Sequence, residues 1–230
     1  MANDPSFVAR SSILFPRLAS DPTVFVVDDD LAVLKSLSRL LRSAHLHAVT
    51  FTSPREFLDH YDPRAPGCLV LDVAMPGLNG LELQQALVAG GNDLPIVFLT
   101  GHGDIPMSVQ AIKRGAVDFL TKPVNDNDLL QAIRAAIEKD RLQRQARDEV
   151  AEIQQCLEAL TPREREVMEH VVAGQLNKQI AYDLGTVEKT IKVHRGQVMK
   201  KMQAQSVAEL VRLAERVGIR GRGLAPISSR

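Results

Sequence analysis

The sequence predicts an α/β domain with a doubly wound, five-stranded parallel sheet, joined by a long helical linker to an all-α helix–turn–helix domain. From Thr23 to about Ile137, short apolar runs alternate five times with stretches of helical periodicity, which is typical of a doubly wound sheet. From Asn125 to Leu160 the chain contains no Gly or Pro, which favours helix throughout. After Thr161, helical segments separated by short turns predict a small helical domain.

The five predicted strands are short and rich in β-branched or aromatic residues. They span residues 23–27, 47–51, 68–72, 95–100 and 117–120. Leucines at three- and four-residue spacing mark the helix after the first strand, namely Leu34, Leu37, Leu40 and Leu41. Asp30 is the expected N-cap of that helix. Further helix boundaries are expected at Ser53-Pro54, Asn79-Gly80, Gly90-Gly91 and Asp104-Ile105-Pro106.

The predicted linker carries a heptad-like apolar seam. Its members, at spacings of three and four residues, are Leu142, Ala146, Val150, Ile153, Leu157 and Leu160. Two interpretations stay open at this point. Either the last helix of the first domain continues as one long helix, or two helices break near residues 139–147, where charged residues crowd and apolar ones are few.

Four helices are predicted after the linker, over residues 162–173, 177–184, 188–202 and 206–217. Gly174 and Gly185 stand where two of these helices should end. The predicted organisation is therefore a flexible N-terminal extension over residues 1–22, the α/β domain over 23–137, the helical linker over 138–160, the helix–turn–helix domain over 161–218 and a flexible tail over 219–230.

The net charge of zero conceals an acidic half and a basic half. Before Thr161 there are 15 Lys and Arg against 21 Asp and Glu; from Thr161 onwards there are 13 against 7. A basic C-terminal segment raises the expectation of a nucleic-acid partner for that segment alone. Cys68 and Cys156 lack metal-ligand spacing. No apolar run reaches the roughly 20 residues of a membrane span, so we expect a cytoplasmic protein without a membrane partner.

Polar residues with complementary chemistry follow four of the predicted strands. They are Asp28, Asp29, Asp72, Thr100 and Lys122. Because the carboxyl ends of parallel strands share one edge, these side chains should converge. Each carboxylate alone would more often be a solvated loop residue or a helix cap, but the joint occurrence in this order is difficult to obtain by chance.

Three carboxylates at one edge suit Mg²⁺, or Mn²⁺ in its place, which prefers oxygen ligands. Asp29, Asp72 and a backbone carbonyl just after Asp72 are the expected direct ligands, with Asp28 holding a coordinated water. Asp72 can then act as a nucleophile toward a phosphoryl group. Lys122 would neutralise an oxygen of that group, and the hydroxyl of Thr100 would bond to it.

Four stretches, residues 27–30, 71–80, 99–104 and 116–123, resemble the receiver domain of two-component response regulators, a flavodoxin-like fold. The resemblance implies a cis peptide bond between Lys122 and Pro123. It also implies the following roles: Asp72 as phospho-acceptor, Asp28 and Asp29 as the metal-binding pair completed by the Ala74 carbonyl, Thr100 as switch hydroxyl, Phe119 as its aromatic partner and Lys122 as the phosphate-sensing amine. Phe119 has a plain alternative as a core aromatic.

The basic segment has the form of a helix–turn–helix, with residues 177–185 bracing a recognition helix over 188–202. Ile191, Val198 and Met202 fall on one stripe of that helix and should face the core. The opposite stripe should face outwards and consists of Lys189, Lys192, Val193 and Gly196. Lys can reach a phosphate or a guanine edge, and Val can meet a thymine methyl. A four-helix protein-interaction domain with solvated lysines is the alternative.

The stretches 160–167, 177–185, 190–195 and 199–202 are similar to the DNA-binding domain of the NarL/FixJ (LuxR-type) regulators. The resemblance implies a DNA-binding set made of Lys178, Lys189, Lys192, Val193, Arg195 and Gly196. Two positions depart from the family pattern: Val187 replaces a capping Ser, so that Thr186 would have to cap the helix, and Gly196 lacks a side chain where some relatives approach DNA.

The resemblance also places the last helix in a dimer interface through Val207, Leu210 and Val211, which could equally be domain core. Together the two halves predict a phosphorylation-controlled transcription factor rather than an enzyme. The expected partners are a cognate sensor histidine kinase, double-stranded promoter DNA, a second copy of the chain on phosphorylation and, as a further candidate, RNA polymerase. The rivals are a metal-dependent phosphatase, which would want a carboxylate where Ala74 stands, and an interaction or RNA-binding output domain.

Overall fold

The computed structural model describes residues 21–101 and 105–219, which belong to two compact units divided after Leu142. Most of the predicted N-terminal extension, the expected helix start at Asp104 and the tail from residue 220 lie outside the described residues. Among the described residues, none of the helices combines the length and the hydrophobicity that a membrane span requires.

The first unit alternates strands and helices. Its strands are β1 (Thr23–Val27), β2 (His47–Phe51), β3 (Gly67–Leu71), β4 (Ile96–Thr100) and β5 (Asp118–Thr121), and its helices are α1 (Leu31–Ser43), α2 (Pro54–His60), α3 (Gly80–Ala89), α4 (Ile105–Lys113) and the beginning of α5 (Asp126–Glu158). The strands pair in parallel in the order β2-β1-β3-β4-β5. The predicted doubly wound, five-stranded parallel sheet is confirmed.

Three strands differ from the prediction by one residue: β4 at its start, and β3 and β5 at both ends. β3 covers Gly67–Leu71, so Asp72 lies just beyond the strand, β4 begins at Ile96, and β5 covers Asp118–Thr121. Helix starts follow the expected signals: the Asp30 carboxylate accepts from the Ala32 N–H at 2.7 Å, and Pro54 begins α2 after the N-cap Ser53. These caps satisfy backbone groups that a helix end leaves unpaired.

Two apolar clusters hold the sheet between two helical layers. On one face, Leu34 and Leu41 of α1 pack with Leu129 and Ile133 of α5 against alternate strand residues such as Val26. On the other face, buried residues of α2, α3 and α4, among them Phe57, Leu83 and Ala111, cover the remaining strand side chains. Burial on both faces explains why the strands read as continuous apolar runs.

Helix α5 runs without a break from Asp126 to Glu158, so one long helix, and not two, connects the predicted domains. The heptad-like seam is only partly buried. Leu142 is 52% exposed and Ala146 is exposed, whereas Ile153 and Leu157 are buried in the core of the second unit. Leu142 and Ala146, in the first half of the seam, are therefore exposed, and burial is confined to its second half.

The second unit adds helices α6 (Pro162–Val172), α7 (Asn177–Asp183), α8 (Glu188–Lys201) and α9 (Val207–Arg216). Their apolar faces form one core with the C-terminal end of α5. A capping box between Thr161 and Glu164 begins α6, and the Lys201 amine donates to the Glu164 carboxylate at 2.6 Å, which connects the end of α8 to the start of α6.

Candidate functional site

The predicted acidic cluster is assembled at the carboxyl edge of the sheet. β1 and β3 are neighbours in register, with Val27 opposite Leu71, so Asp28 and Asp29 after β1 stand beside Asp72 after β3. One carboxylate oxygen of each lies within 4.8 Å of those of the other two. Asp28 and Asp72 are buried and Asp29 is exposed, which leaves the cluster accessible from one side.

Lys122 enters this cluster from the end of β5. Its Nζ atom lies 2.5 Å from Oδ2 of Asp28 and 3.6 Å from Oδ1 of Asp72. The Lys122 backbone N–H donates to the Thr100 carbonyl at 2.7 Å, and the Lys122-Pro123 bond is cis, as the resemblance implied. The amine therefore forms its hydrogen bond with Asp28, not with the predicted phospho-acceptor.

The Asp72 carboxyl has an unfavourable environment for its negative charge. Burial raises its pKa above the ordinary value; Lys122 lowers the pKa, and the Asp28 and Asp29 carboxylates raise it again. Its buried Oδ1 atom accepts no hydrogen bond from any described residue. A buried acceptor without a partner carries a substantial free-energy cost.

The donor set fits a hard divalent cation. Three carboxylates within reach of one another supply the oxygen ligands and negative charge that Mg²⁺ prefers. Burial is the main cause of the raised pKa of Asp72, and a cation beside Oδ1 would relieve the smaller contribution of the neighbouring carboxylates. Ala74, whose carbonyl is the remaining predicted ligand, is exposed on the loop after Asp72.

Helix α3 begins directly behind Asp72 and approaches it closely. A Cβ atom on Gly80 would lie 2.3 Å from the Asp72 carbonyl oxygen, so this position accepts no side chain without a shift of backbone. A capping box between Asn79 and Glu82 secures the start of α3. The loop over residues 72–80 is thus held at both ends.

The predicted switch residues occupy neighbouring strands. Thr100, at the end of β4, is fully buried. Phe119 of β5 is half-buried and packs against the core, with its ring centroid 5.9 Å from that of Phe98. The Phe119 ring thus packs beside β4, and its role as the partner of Thr100 stays a prediction.

The recognition helix presents the two predicted stripes. Ile191, Val198 and Met202 are buried. The opposite face is solvent-exposed and consists of Lys189, Lys192, Val193, Gly196 and Lys200. The apolar Val193 is 59% exposed, so its side chain is accessible on this face together with the lysines.

Arg195 lies on a different side of α8 from this face. Its Nη1 atom donates to Oδ1 of Asn177, the first residue of α7, at 2.9 Å. Lys178, the next residue, is exposed. Arg195 is thus bonded to the start of α7, where Lys178 is also located, while the other predicted DNA-binding residues share the exposed face of α8.

Two further expectations concern helix ends and dimer contacts. Val187 is the N-cap of α8 and forms no side-chain hydrogen bond there, so the cap expected from Thr186 is not observed at the N-cap position. Leu210 of α9 is fully buried and Val207 packs against the same core. Leu210 is therefore a core residue of the unit, in agreement with the second interpretation, whereas Val207 and Val211 are only partly buried.

Comparison with sequence families identifies both parts of the chain. Residues 24–134 match the family "Response regulator receiver domain", and residues 158–214 match "Bacterial regulatory proteins, luxR family". The chain is a response regulator of the NarL/FixJ family. It combines a receiver domain with a helix–turn–helix DNA-binding domain, and its family consists of transcriptional regulators rather than enzymes. This pair of domains implies a kinase and DNA as partners.

Full-length relatives resemble this response regulator over most of their length. Nodulation protein W of Bradyrhizobium diazoefficiens is 51% identical over 196 residues, which cover 85% of this chain and 86% of the relative. The response regulator protein TodT of Pseudomonas putida is 47% identical over 220 residues, which cover 91% of this chain and 97% of TodT.

Solved structures give the same result. The response regulator StyR, 47% identical, has a TM-score of 0.79, and the match covers 86% of this chain and 100% of StyR. Full-length FixJ from B. japonicum, 43% identical, has a TM-score of 0.53 and covers 86% of this chain and 98% of FixJ.

Sequence reasoning missed two polar residues that position parts of the response regulator. Gln84 is buried on α3 and donates to the Ala111 and Arg114 carbonyls at 3.2 and 3.4 Å, which ties the end of α4 to α3. Asn177 was not singled out as the partner of Arg195. A glutamine between Leu83 and Leu87 on an apolar face is a signal that could have identified Gln84, whereas nothing in the sequence pairs residues 177 and 195.

Proposed function

We propose that this response regulator is phosphorylated on Asp72 by a sensor histidine kinase, and that phosphorylation controls its dimerisation and its binding to promoter DNA. The observation that carries the proposal is the state of Asp72: a buried carboxylate oxygen without a hydrogen bond, beside two further carboxylates and one amine. An acyl phosphate on Asp72 would form as its oxygen bonds to phosphorus while the bond between phosphorus and the kinase histidine breaks.

Each residue of the cluster has a proposed part in this transfer. Asp28, Asp29, Asp72 and the Ala74 carbonyl would hold Mg²⁺ or Mn²⁺, which neutralises the carboxylates and the phosphoryl oxygens when bound. Lys122, 3.6 Å from Asp72, would shift from Asp28 toward a phosphoryl oxygen. The Thr100 hydroxyl, at the end of the adjacent strand, would donate to another oxygen.

The proposed output of the receiver is a change in the face formed by α4 and β5. A phosphoryl group adds a charge of roughly −2, which would draw Thr100 inwards and let Phe119 rotate. Helix α4 already exposes three large apolar side chains, Ile105, Val109 and Ile112. An exposed apolar stripe of this kind suits association with a second copy of the chain.

The proposed DNA contacts belong to the second unit. Lys178, Lys189 and Lys192 would bind phosphates or guanine edges, and Val193 a thymine methyl. Gly196 completes the exposed face of α8, and Arg195 is proposed to support it indirectly, through its hydrogen bond to Asn177. RNA polymerase is a further proposed partner at the promoter. The proposed location is the cytoplasm, because the protein would meet both the kinase and the promoter there.

The test compares the wild type with Asp72→Asn and with Asp59→Asn, a control at an exposed carboxylate on α2. Each protein is incubated with Mg²⁺ and a small-molecule phosphodonor, and intact mass, oligomeric state and duplex binding are measured. We expect one added phosphoryl group, dimerisation and tighter binding for the wild type and Asp59→Asn only. Phosphate-dependent binding by Asp72→Asn would contradict the proposal.

A further inference from the structure

Gly196 is an unusual residue for the position that it occupies. It lies near the middle of the 14-residue helix α8 and is exposed. Within the described ranges, every other helix interior is free of glycine: Gly80 is the first residue of α3, and the remaining glycines lie outside the helices. A Cβ atom built at Gly196 would meet no heavy atom within 4 Å.

The fold itself gives no reason for this glycine. In a helix interior, glycine destabilises the helix relative to alanine because its backbone loses more conformational freedom on folding. A close neighbour would explain the absence of a side chain, as the Asp72 carbonyl does at Gly80, but the space beside Gly196 is open. Any steric reason must therefore come from a molecule that binds to this face.

The side chains around Gly196 indicate which kind of molecule binds to this face. Lys192 and Lys200 stand one turn before and one turn after it on the same side of α8, and Val193 lies next to them. All three side chains are exposed. Gly196 thus forms a notch in the centre of a face that is otherwise basic with one apolar side chain, a combination suited to duplex DNA.

We propose that Gly196 sets the depth at which α8 enters the major groove, because its missing side chain lets the helix backbone reach the base edges. The inference rests on the proposed function, namely that α8 binds DNA. The major groove is about 12 Å wide and a helix with its side chains is about 10–12 Å in diameter. One added methyl group at the centre of the contact would hold Lys192 and Val193 away from the bases.

The proposal predicts opposite effects of one substitution on stability and on binding. Gly196→Ala should raise the melting temperature of the full-length protein by a few degrees, since alanine is the better helix residue. The same variant should lose at least about tenfold in affinity for DNA. The larger Gly196→Gln should lose more. A purely structural role would move stability and affinity in the same direction.

The experiment uses full-length protein treated with phosphodonor and Mg²⁺, and one duplex of about 30 base pairs selected from a random pool by the wild type. The control is Ala151→Gly, the reverse substitution at an exposed position of α5 in the same unit. It should lower the melting temperature and leave DNA affinity unchanged. Lys192→Ala tests the proposed function itself and should lose affinity.

The outcomes separate the two proposals. If Lys192→Ala loses affinity while Gly196→Ala binds as tightly as the wild type, the role of Gly196 is overturned and α8 still binds DNA. If Gly196→Ala loses both stability and affinity, the loss is structural and the inference is again overturned. If no duplex is selected, or if Lys192→Ala binds as the wild type does, the proposed function of α8 fails and the inference fails with it.

Discussion

The Nζ atom of Lys122 lies 2.5 Å from Oδ2 of Asp28, whereas its distance to Oδ1 of Asp72 is 3.6 Å. The amine therefore neutralises a carboxylate of the proposed metal site and leaves the proposed phospho-acceptor without a hydrogen bond at Oδ1. A divalent cation and the Lys122 amine compete for the same negative charge. This competition has consequences that can be measured.

Replacing Lys122 with Met should strengthen Mg²⁺ binding about threefold or more, because a positive charge beside the carboxylates is removed. Calorimetric titration with Mg²⁺ measures the affinity. Lys113→Met, at an exposed position of α4, is the matched control and should bind as the wild type does. Unchanged or weaker binding by Lys122→Met would show that the amine does not oppose the cation.

The raised pKa of Asp72 predicts that Asp72→Asn stabilises the protein at neutral pH. Burial is the main cause of the raised pKa, so the folded state holds the Asp72 proton more tightly than the unfolded state does. Ionisation of Asp72 therefore lowers the free energy of unfolding. This loss of stability is absent at a pH below the ordinary carboxyl pKa and is complete once the pH exceeds the raised pKa. Denaturant unfolding without Mg²⁺ should therefore show a stability advantage of Asp72→Asn that shrinks as the pH falls.

Addition of Mg²⁺ provides the check on this interpretation. The cation should stabilise the wild type more than Asp72→Asn, because the variant has lost one ligand charge. A stability difference between the two proteins that does not change with pH would contradict the assigned cause.

Two leucines of the same helix should differ sharply in their contribution to stability. Leu157 is 5% exposed and belongs to the core of the second unit, whereas Leu142 is 52% exposed. Leu157→Ala should lower the free energy of unfolding of that unit by about 2–4 kcal/mol. Leu142→Ala should change it by less than about 0.5 kcal/mol. Thermal and denaturant unfolding of the full-length variants measure both values, and similar losses would mean that the seam acts as one unit.

Arg195→Ala should weaken DNA binding about tenfold by releasing Asn177 at the start of α7. If Arg195 acts through Asn177, the double variant Arg195→Ala with Asn177→Ala should bind no more weakly than Arg195→Ala alone. The dependence of affinity on salt should also keep the slope of the wild type. A slope reduced by about one would indicate instead that Arg195 contacts a phosphate directly.

Much of the fold could be predicted from the sequence because its signals are local. Alternating apolar runs and leucine spacing predicted all five strands and the helices between them, with strand ends differing by at most one residue. The meeting of Asp28, Asp29 and Asp72 could be predicted as well, because parallel strands necessarily bring their carboxyl ends to one edge. Caps such as Asp30 and Ser53 depend only on the next turn of chain.

The remaining features depended on contacts between residues far apart in the chain. Leu142 and Leu157 both belong to the seam, but only Leu157 is buried, because it lies in the core of the second unit. Arg195 has the same basic character as Lys192, but packing of α7 against α8 places Asn177 within hydrogen-bond distance of it. Gly196 shows its open surroundings only when the helices around it are known.

The sequence by itself therefore determined the order of the elements, the residues at the sheet edge and the helix–turn–helix, since periodicity and strand-end position act over a few residues. The tertiary structure decided which carboxylate holds Lys122, which apolar residues of α5 are buried and where Arg195 forms its hydrogen bond. The physical reason is that a side chain selects its partner from the groups that packing brings within a few ångströms, and sequence spacing does not state those distances.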